Sequence, residues 1–199
     1  MSTNDDGRQS ILDEAESLFA RYGFKKTSIE DVAKAARIGK GSVYLHFASK
    51  EELFAEVVRR VSERMWHALV SAVGGARSPA ARLRAFVEAK LTSVAEIVAE
   101  YHLDEETVME LLPLANALRQ AHRAKELVLL QEVLRDGIAA GAFAVEHPKR
   151  VATGMMACLQ ALEASAVRLS DQPDVRGALG DLLAVFLRGL SPLPRRNGA

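Results

Sequence analysis

Cysteine is nearly missing from this chain: Cys158 is the only one among 199 residues. A single thiol excludes an internal disulfide and any zinc site built on several cysteines, and a reducing cytoplasm is the expected setting. Aromatic residues make up only 6%, and β-branched runs are short, which argues against a sheet protein. No stretch approaches the roughly 18 consecutive apolar residues of a membrane span. The polar opening MSTNDDGRQS does not read as a secretory signal. Net charge is missing too, because 26 basic and 26 acidic residues cancel. A neutral chain cannot coat nucleic acid wholesale, so any surface for it has to be local. There is no nucleophile elbow, phosphate loop or metal-spaced cluster of His, Asp and Glu. His67, His102, His122 and His147 are widely separated along the chain, so neither catalysis, a metal nor a cofactor is expected.

What the chain does have is helix-forming material and segregated charge. Hydrophobic residues reach 49%, with Ala and Leu abundant, so an all-α protein of about nine helices is expected. Between Arg21 and Lys50 there are seven basic residues and two acidic ones, a local charge of +5 that leaves −5 for the remainder. After a disordered tail over 1–7, Ile11, Leu12, Ala15, Leu18 and Phe19 recur at helical spacing from about Arg8 to Tyr22, where Gly23 stops the helix. Thr27-Ser28-Ile29-Glu30 reads as a capping box, with the Thr27 hydroxyl accepting an amide and Glu30 reaching back. It opens a short helix whose inner face is Ile29, Val32, Ala33 and Ala36. A tight turn over Arg37–Gly39 leads to a second short helix through Phe47. Ser49-Lys50-Glu51-Glu52 repeats the capping pattern and starts a long helix that Gly74-Gly75 ends. Further helices are expected at about 79–101, 104–117, 119–140, 148–170 and 173–190, with Pro113 kinking or ending its own. The domains expected are 1–50 and 51–190, with 191–199 a disordered tail.

Two short helices joined by a tight turn and braced by a longer helix make a helix-turn-helix. Helices shorter than about 12 residues are marginal alone in water, so these must be held by burial of Ile29, Val32, Ala36, Val43 and Phe47 against the first helix. The second carries Gly39 and Gly41 in its first turn, each costing on the order of 1 kcal/mol relative to alanine if helical. Such glycines let a backbone approach a phosphate or base edge closely. Lys40, Ser42, Tyr44 and His46 place donors on its outward side.

From Arg8 to Glu56, with Phe19, Gly23, Thr27-Ser28, Gly39-Lys40-Gly41 and above all Tyr44-Leu45-His46-Phe47-Ala48-Ser49-Lys50, the chain resembles the DNA-binding domain of TetR-type regulators. The resemblance implies phosphate contacts from Thr27 and Ser28, base approach by Lys40, Gly41 and Ser42, backbone contacts from Tyr44 and His46, and a phosphate held by Lys50. It also implies a C-terminal helical domain that dimerises and encloses a small-molecule pocket, with operator DNA, a second copy and a largely apolar effector as partners and no membrane. Pocket candidates are Trp66, Phe86, Tyr101, His102, Met109, Asn116, His122, Met155, Met156 and Gln160. For the dimer, Ala157, Ala161 and Ala164 offer a small-residue surface, and Leu179, Leu183, Phe186 and Leu187 an apolar one. The alternative is a DNA-binding dimer governed by another protein, or by no ligand at all.

Overall fold

The computed structural model describes residues 3–100, 105–164 and 175–192, and every element among them is a helix. In chain order these are α1 (Thr3–Lys26), α2 (Ile29–Ala35), α3 (Lys40–His46), α4 (Lys50–Gly75), α5 (Pro79–Glu100), α6 (Glu105–Leu118), α7 (Gln120–Ala139), α8 (Pro148–Ala164) and α9 (Val175–Leu190). None of the described helices is long and apolar enough to cross a membrane. α1 starts at Thr3, five residues before the expected Arg8, so residues 3–7 are helical; Asp6 near that end suits the positive pole of the helix dipole. α6 runs through Pro113 to Leu118 and does not end there; the proline is exposed, and the amide it lacks deprives only the Met109 carbonyl of a partner.

The chain divides into two compact units. The first combines Met1–Arg64 with Glu96–Ala121, so it is larger than the expected 1–50 and takes in α6 and the first half of α4. Its core joins Ile11, Ala15 and Phe19 of α1 to Val32, Val43 and Phe47, and then to Leu53, Phe54 and Val57 of α4. Phe19, Phe24 and Phe54 pack as a ring cluster, Phe54 meeting Phe19 edge-on at 5.2 Å and Phe24 at 5.1 Å. Leu111 and Ala115 of α6 lie against the same core.

Charged pairs line the α1–α4 seam. Arg8 reaches Glu56 at 2.6 Å and Arg60 reaches Asp13 at 2.5 Å, while Arg64 grips both oxygens of Glu16 at 2.6 and 3.0 Å. Bidentate guanidinium pairs of this kind fix orientation as well as contact. Hydrogen bonds from Arg59 and then Arg8 pull the Glu56 carboxyl down to about 2.

The second unit, Met65–Ala95 with His122–Ala199, has its own core of Leu83, Phe86, Leu130, Leu134, Met156 and Leu187 among others. Gly137 is required there, because a Cβ would overlap the Phe143 ring. Inside this unit Lys90 Nζ lies 2.9 Å from Glu126 and 2.5 Å from Glu163, and all three side chains are buried.

Candidate nucleic-acid interface

The corner between α1 and α2 is fixed by backbone chemistry. Gly23 takes φ +80°, a conformation that glycine adopts freely, and this breaks α1 before its last turn. Thr27 follows, only 2% exposed, with its hydroxyl donating to the carbonyls of Gly23 (2.9 Å) and Leu18 (3.1 Å). The expected cap therefore moves by one residue. Ser28 is the N-cap: its hydroxyl accepts the Asp31 amide at 3.2 Å, and the Asp31 carboxylate accepts the Ser28 amide at 2.9 Å. Hydrogen bonds from Ser28 hold the Asp31 carboxyl below its ordinary range, the side-chain bond first and the backbone one second. Thr27 instead ties the chain to α1, and its hydroxyl is not free for a phosphate.

Lys50 is likewise drawn inward. Its ammonium donates to the carbonyls of Phe24 (2.9 Å) and Thr27 (3.1 Å) and stands 4.2 Å from the centre of the Phe24 ring. The side chain expected to hold a phosphate thus braces the same corner that Thr27 closes. From the α6 side, Glu110 accepts the Lys25 amide at 2.7 Å.

α2 closes with a Schellman arrangement. Arg37 sits at φ +56°, its amide donates to Lys34 O, and the Ile38 amide donates to Ala33 O at 2.9 Å. The chain then turns into α3, whose N-cap Gly39 makes no side-chain hydrogen bond. Within α3 the division of faces is sharp. Val43 is fully buried, as is Phe47 at the C-cap, while Lys40, Gly41, Tyr44 and Leu45 are exposed and Ser42 and His46 are half-buried. Lys40 makes only a loose surface pair with Glu30 at 3.5 Å, the kind that contributes little and exchanges readily. His46 stands beside α1, where a Cβ on Gly7 would be 3.7 Å from its Nε2. Of the eight expected DNA-contacting residues, Lys40, Gly41, Ser42, Tyr44 and His46 gather on α3, Ser28 stands exposed at the head of α2, and Thr27 and Lys50 are committed inside the unit. Leu45, not anticipated, is the most exposed large apolar side chain among the described residues, at 85%. Its signal was available: an apolar residue two positions from Val43 falls on the opposite side of a helix.

The described pocket candidates fall in both units. Phe86 and Met156 lie in the second core with Trp66 and Met155 packed on it, whereas Met109 is exposed on α6 and, like Asn116, belongs to the first unit. His122 is buried and Gln160 half-buried in the second unit; Tyr101 and His102 lie outside the described residues. The buried Lys90–Glu126–Glu163 group was missed. Lys90 continues the Leu83–Phe86–Val87 stripe of α5 by one turn, and Glu163 stands one turn after Leu159. A charge in a stripe position was therefore the available clue. Of the dimer residues, Leu183 and Leu187 are buried in the core of their own unit. The face of α9 left open carries Leu182 (62% exposed) and Val185 (57%), with Leu179 and Phe186 half-buried. Ala157 and Ala161 are exposed on α8; the Ala164 side chain lies outside the described residues. Among the described residues no group of His, Cys, Asp and Glu could hold a metal ion.

Residues 11–57, which span α2, α3 and the adjoining parts of α1 and α4, match the family model described as bacterial regulatory proteins, tetR family. The chain is 28% identical over 138 residues to the HTH-type transcriptional repressor KstR2 of Mycolicibacterium smegmatis, covering 68% of this chain and 67% of that protein. It is 46% identical over 50 residues to the HTH-type transcriptional regulator AcrR of Shigella flexneri, a match covering 25% of this chain and 23% of that one. Among solved structures, the fatty acid degradation regulator FadR from Bacillus halodurans shares the fold with a TM-score of 0.69 at 22% identity, over 90% of this chain and 94% of that one.

Proposed function

We propose that this chain, whose residues 11–57 match the tetR-family model and which is 28% identical over 68% of its length to a transcriptional repressor, is a cytoplasmic TetR-type repressor that binds a pseudo-palindromic operator as a homodimer and leaves it when a small, largely apolar molecule binds the second unit. The observation that carries the DNA contact is the division of α3, with Val43 and Phe47 buried and Lys40, Gly41, Tyr44 and Leu45 open. A helix held by one face presents the other to a major groove. Lys40 and Tyr44 supply donors to phosphates or base edges, and Ser42 and His46 flank them. Ser28 meets a phosphate from the head of α2, while Thr27 and Lys50 act indirectly, by fixing the angle at which α2 leaves α1.

One reading helix covers too few base pairs for useful affinity. Two copies about 34–36 Å apart would meet successive major grooves. The open apolar side of α9, Leu182 and Val185, and the exposed Ala157 and Ala161 of α8 support pairing of two chains as a four-helix bundle. For the effector, Trp66 and Met155 at the edge of the second core offer apolar contact, and the buried charged group of Lys90, Glu126 and Glu163 offers a polar partner. α4 is one continuous helix with Lys50–Arg64 in the first unit and Met65–Gly75 in the second, so a shift at its far end reaches the DNA-binding unit. A coupling of about 1–3 kcal/mol changes operator affinity about 5- to 150-fold.

Selection of bound duplexes from a random pool tests this reading, run with the full chain and with Lys40→Ala and Tyr44→Ala. The expected result is an inverted repeat enriched by the parent and lost by both variants. Enrichment undiminished in both variants would remove α3 from the interface.

A further inference from the structure

The outward face of α3 has a centre, and it is not charged. At about 100° per residue, Gly41 and Leu45 both fall close to the side opposite Val43, with Lys40 and Tyr44 on one flank and Ser42 and His46 on the other. Gly41 is not required by the fold. Its φ is not positive, and a Cβ there would meet nothing within 4 Å, the Leu45 side chain included. The residue nevertheless costs helix stability relative to alanine, so a gap is kept in front of the helix that none of the described residues fills. One turn on, Leu45 projects its isobutyl group at 85% exposure. Single exposed leucines are ordinary on protein surfaces, but this one stands beside that gap, between the Lys40–Tyr44 flank and the Ser42–His46 flank, on the face read as meeting DNA.

We propose that Leu45 is a specificity-determining residue that packs on the 5-methyl group of a thymine in each operator half-site, with the Gly41 gap admitting the base edge. The inference rests on the reading of α3 as the groove helix. In the major groove only thymine among the four bases offers an apolar group, and apolar side chains select it. The contact involves no phosphate, so Leu45 governs which base is preferred and leaves the salt dependence of binding unchanged, whereas removing Lys40 flattens the salt dependence.

The test uses the full chain on its own selected duplex, with each thymine replaced in turn by deoxyuridine, which lacks only the methyl group. One thymine per half-site is expected to matter. Its loss lowers affinity about fourfold, or about fifteenfold when both half-sites are changed, the factor expected from burying one carbon group. Replacing that T·A pair by 5-methyl-dC·G is expected to retain part of the affinity that unmethylated dC·G loses. In Leu45→Ala, whose melting temperature should match the parent because the side chain is exposed, the thymine and deoxyuridine duplexes bind equally and the slope of affinity against salt is that of the parent. If no thymine is sensitive, or if the sensitivity persists in Leu45→Ala, the assignment is wrong while DNA binding stands. If the parent selects no duplex at all, the reading of α3 falls and this assignment with it.

Discussion

Helices α2 and α3 each span seven residues, a length that does not hold a helix in water unaided. α2 has nearly every local support available to a short helix: a capping box between Ser28 and Asp31, Glu30 and Asp31 in its first turn, Lys34 in its last and a Schellman closure at Arg37. α3 has a glycine at its N-cap without a side-chain bond, no acid in its first turn and a second glycine at position 41. What keeps α3 helical is Val43 and Phe47 in the core beneath it. Side-chain caps and acidic residues would stabilise its first turn, but on the proposed reading they would also put carboxylates and bulk in the way of DNA. The helix proposed to support is locally stabilised, and the helix proposed to read DNA depends on its neighbours.

The contrast can be broken most forcefully from beneath. Phe47→Ala removes a buried ring at the end of α3 and is expected to cost about 3–5 kcal/mol in denaturant unfolding; a loss under about 1 kcal/mol would mean that α3 does not depend on the core. Next comes Ser28→Ala, which removes the cap of α2 and should cost about 1 kcal/mol. Gly39 has no side-chain bond to lose, so Gly39→Ala should cost less than Ser28→Ala, about 0.5 kcal/mol. Another small effect lies at the α1–α4 seam. Because the folded Glu56 carboxyl is held near 2 and its ordinary value is 4.5, its contribution is complete above about pH 4.5. That contribution is lost as the pH falls from there towards 2. Glu56→Gln is expected to cost under about 1 kcal/mol at neutral pH, since its arginine partners are partly exposed. The variant should also flatten the fall in stability across that acid window. An unchanged acid slope would contradict the pairing with Arg8 and Arg59.

Much of this plan is legible in the chain itself. The periodicity of Ile11–Phe19, the glycine pair at 74–75 and the prolines at 79 and 148 mark helix ends because their backbone limits act locally. The cap of α2 was misread because two overlapping boxes are written there, Thr27 with Glu30 and Ser28 with Asp31. Only the burial of Thr27 against Leu18 and Gly23 decides between them. Lys50 looked like a phosphate ligand because its ties to Phe24 and Thr27 span 26 and 23 residues, a range no local pattern encodes. The membership of α6 in the first unit rests on Leu111, Ala115 and the Glu110–Lys25 bond, again nonlocal. Leu45 was overlooked for a different reason, since attention to donors hides an apolar residue that faces outward.

Gly41→Ala bears on the central claim most directly, with thermal stability and affinity for the selected duplex measured on one preparation. The account predicts a melting temperature equal to or above that of the parent, since alanine is the better helix former by about 1 kcal/mol and its methyl meets open space. Affinity should fall at the same time, because that space is where the DNA comes closest. Unchanged affinity in a folded variant would contradict it.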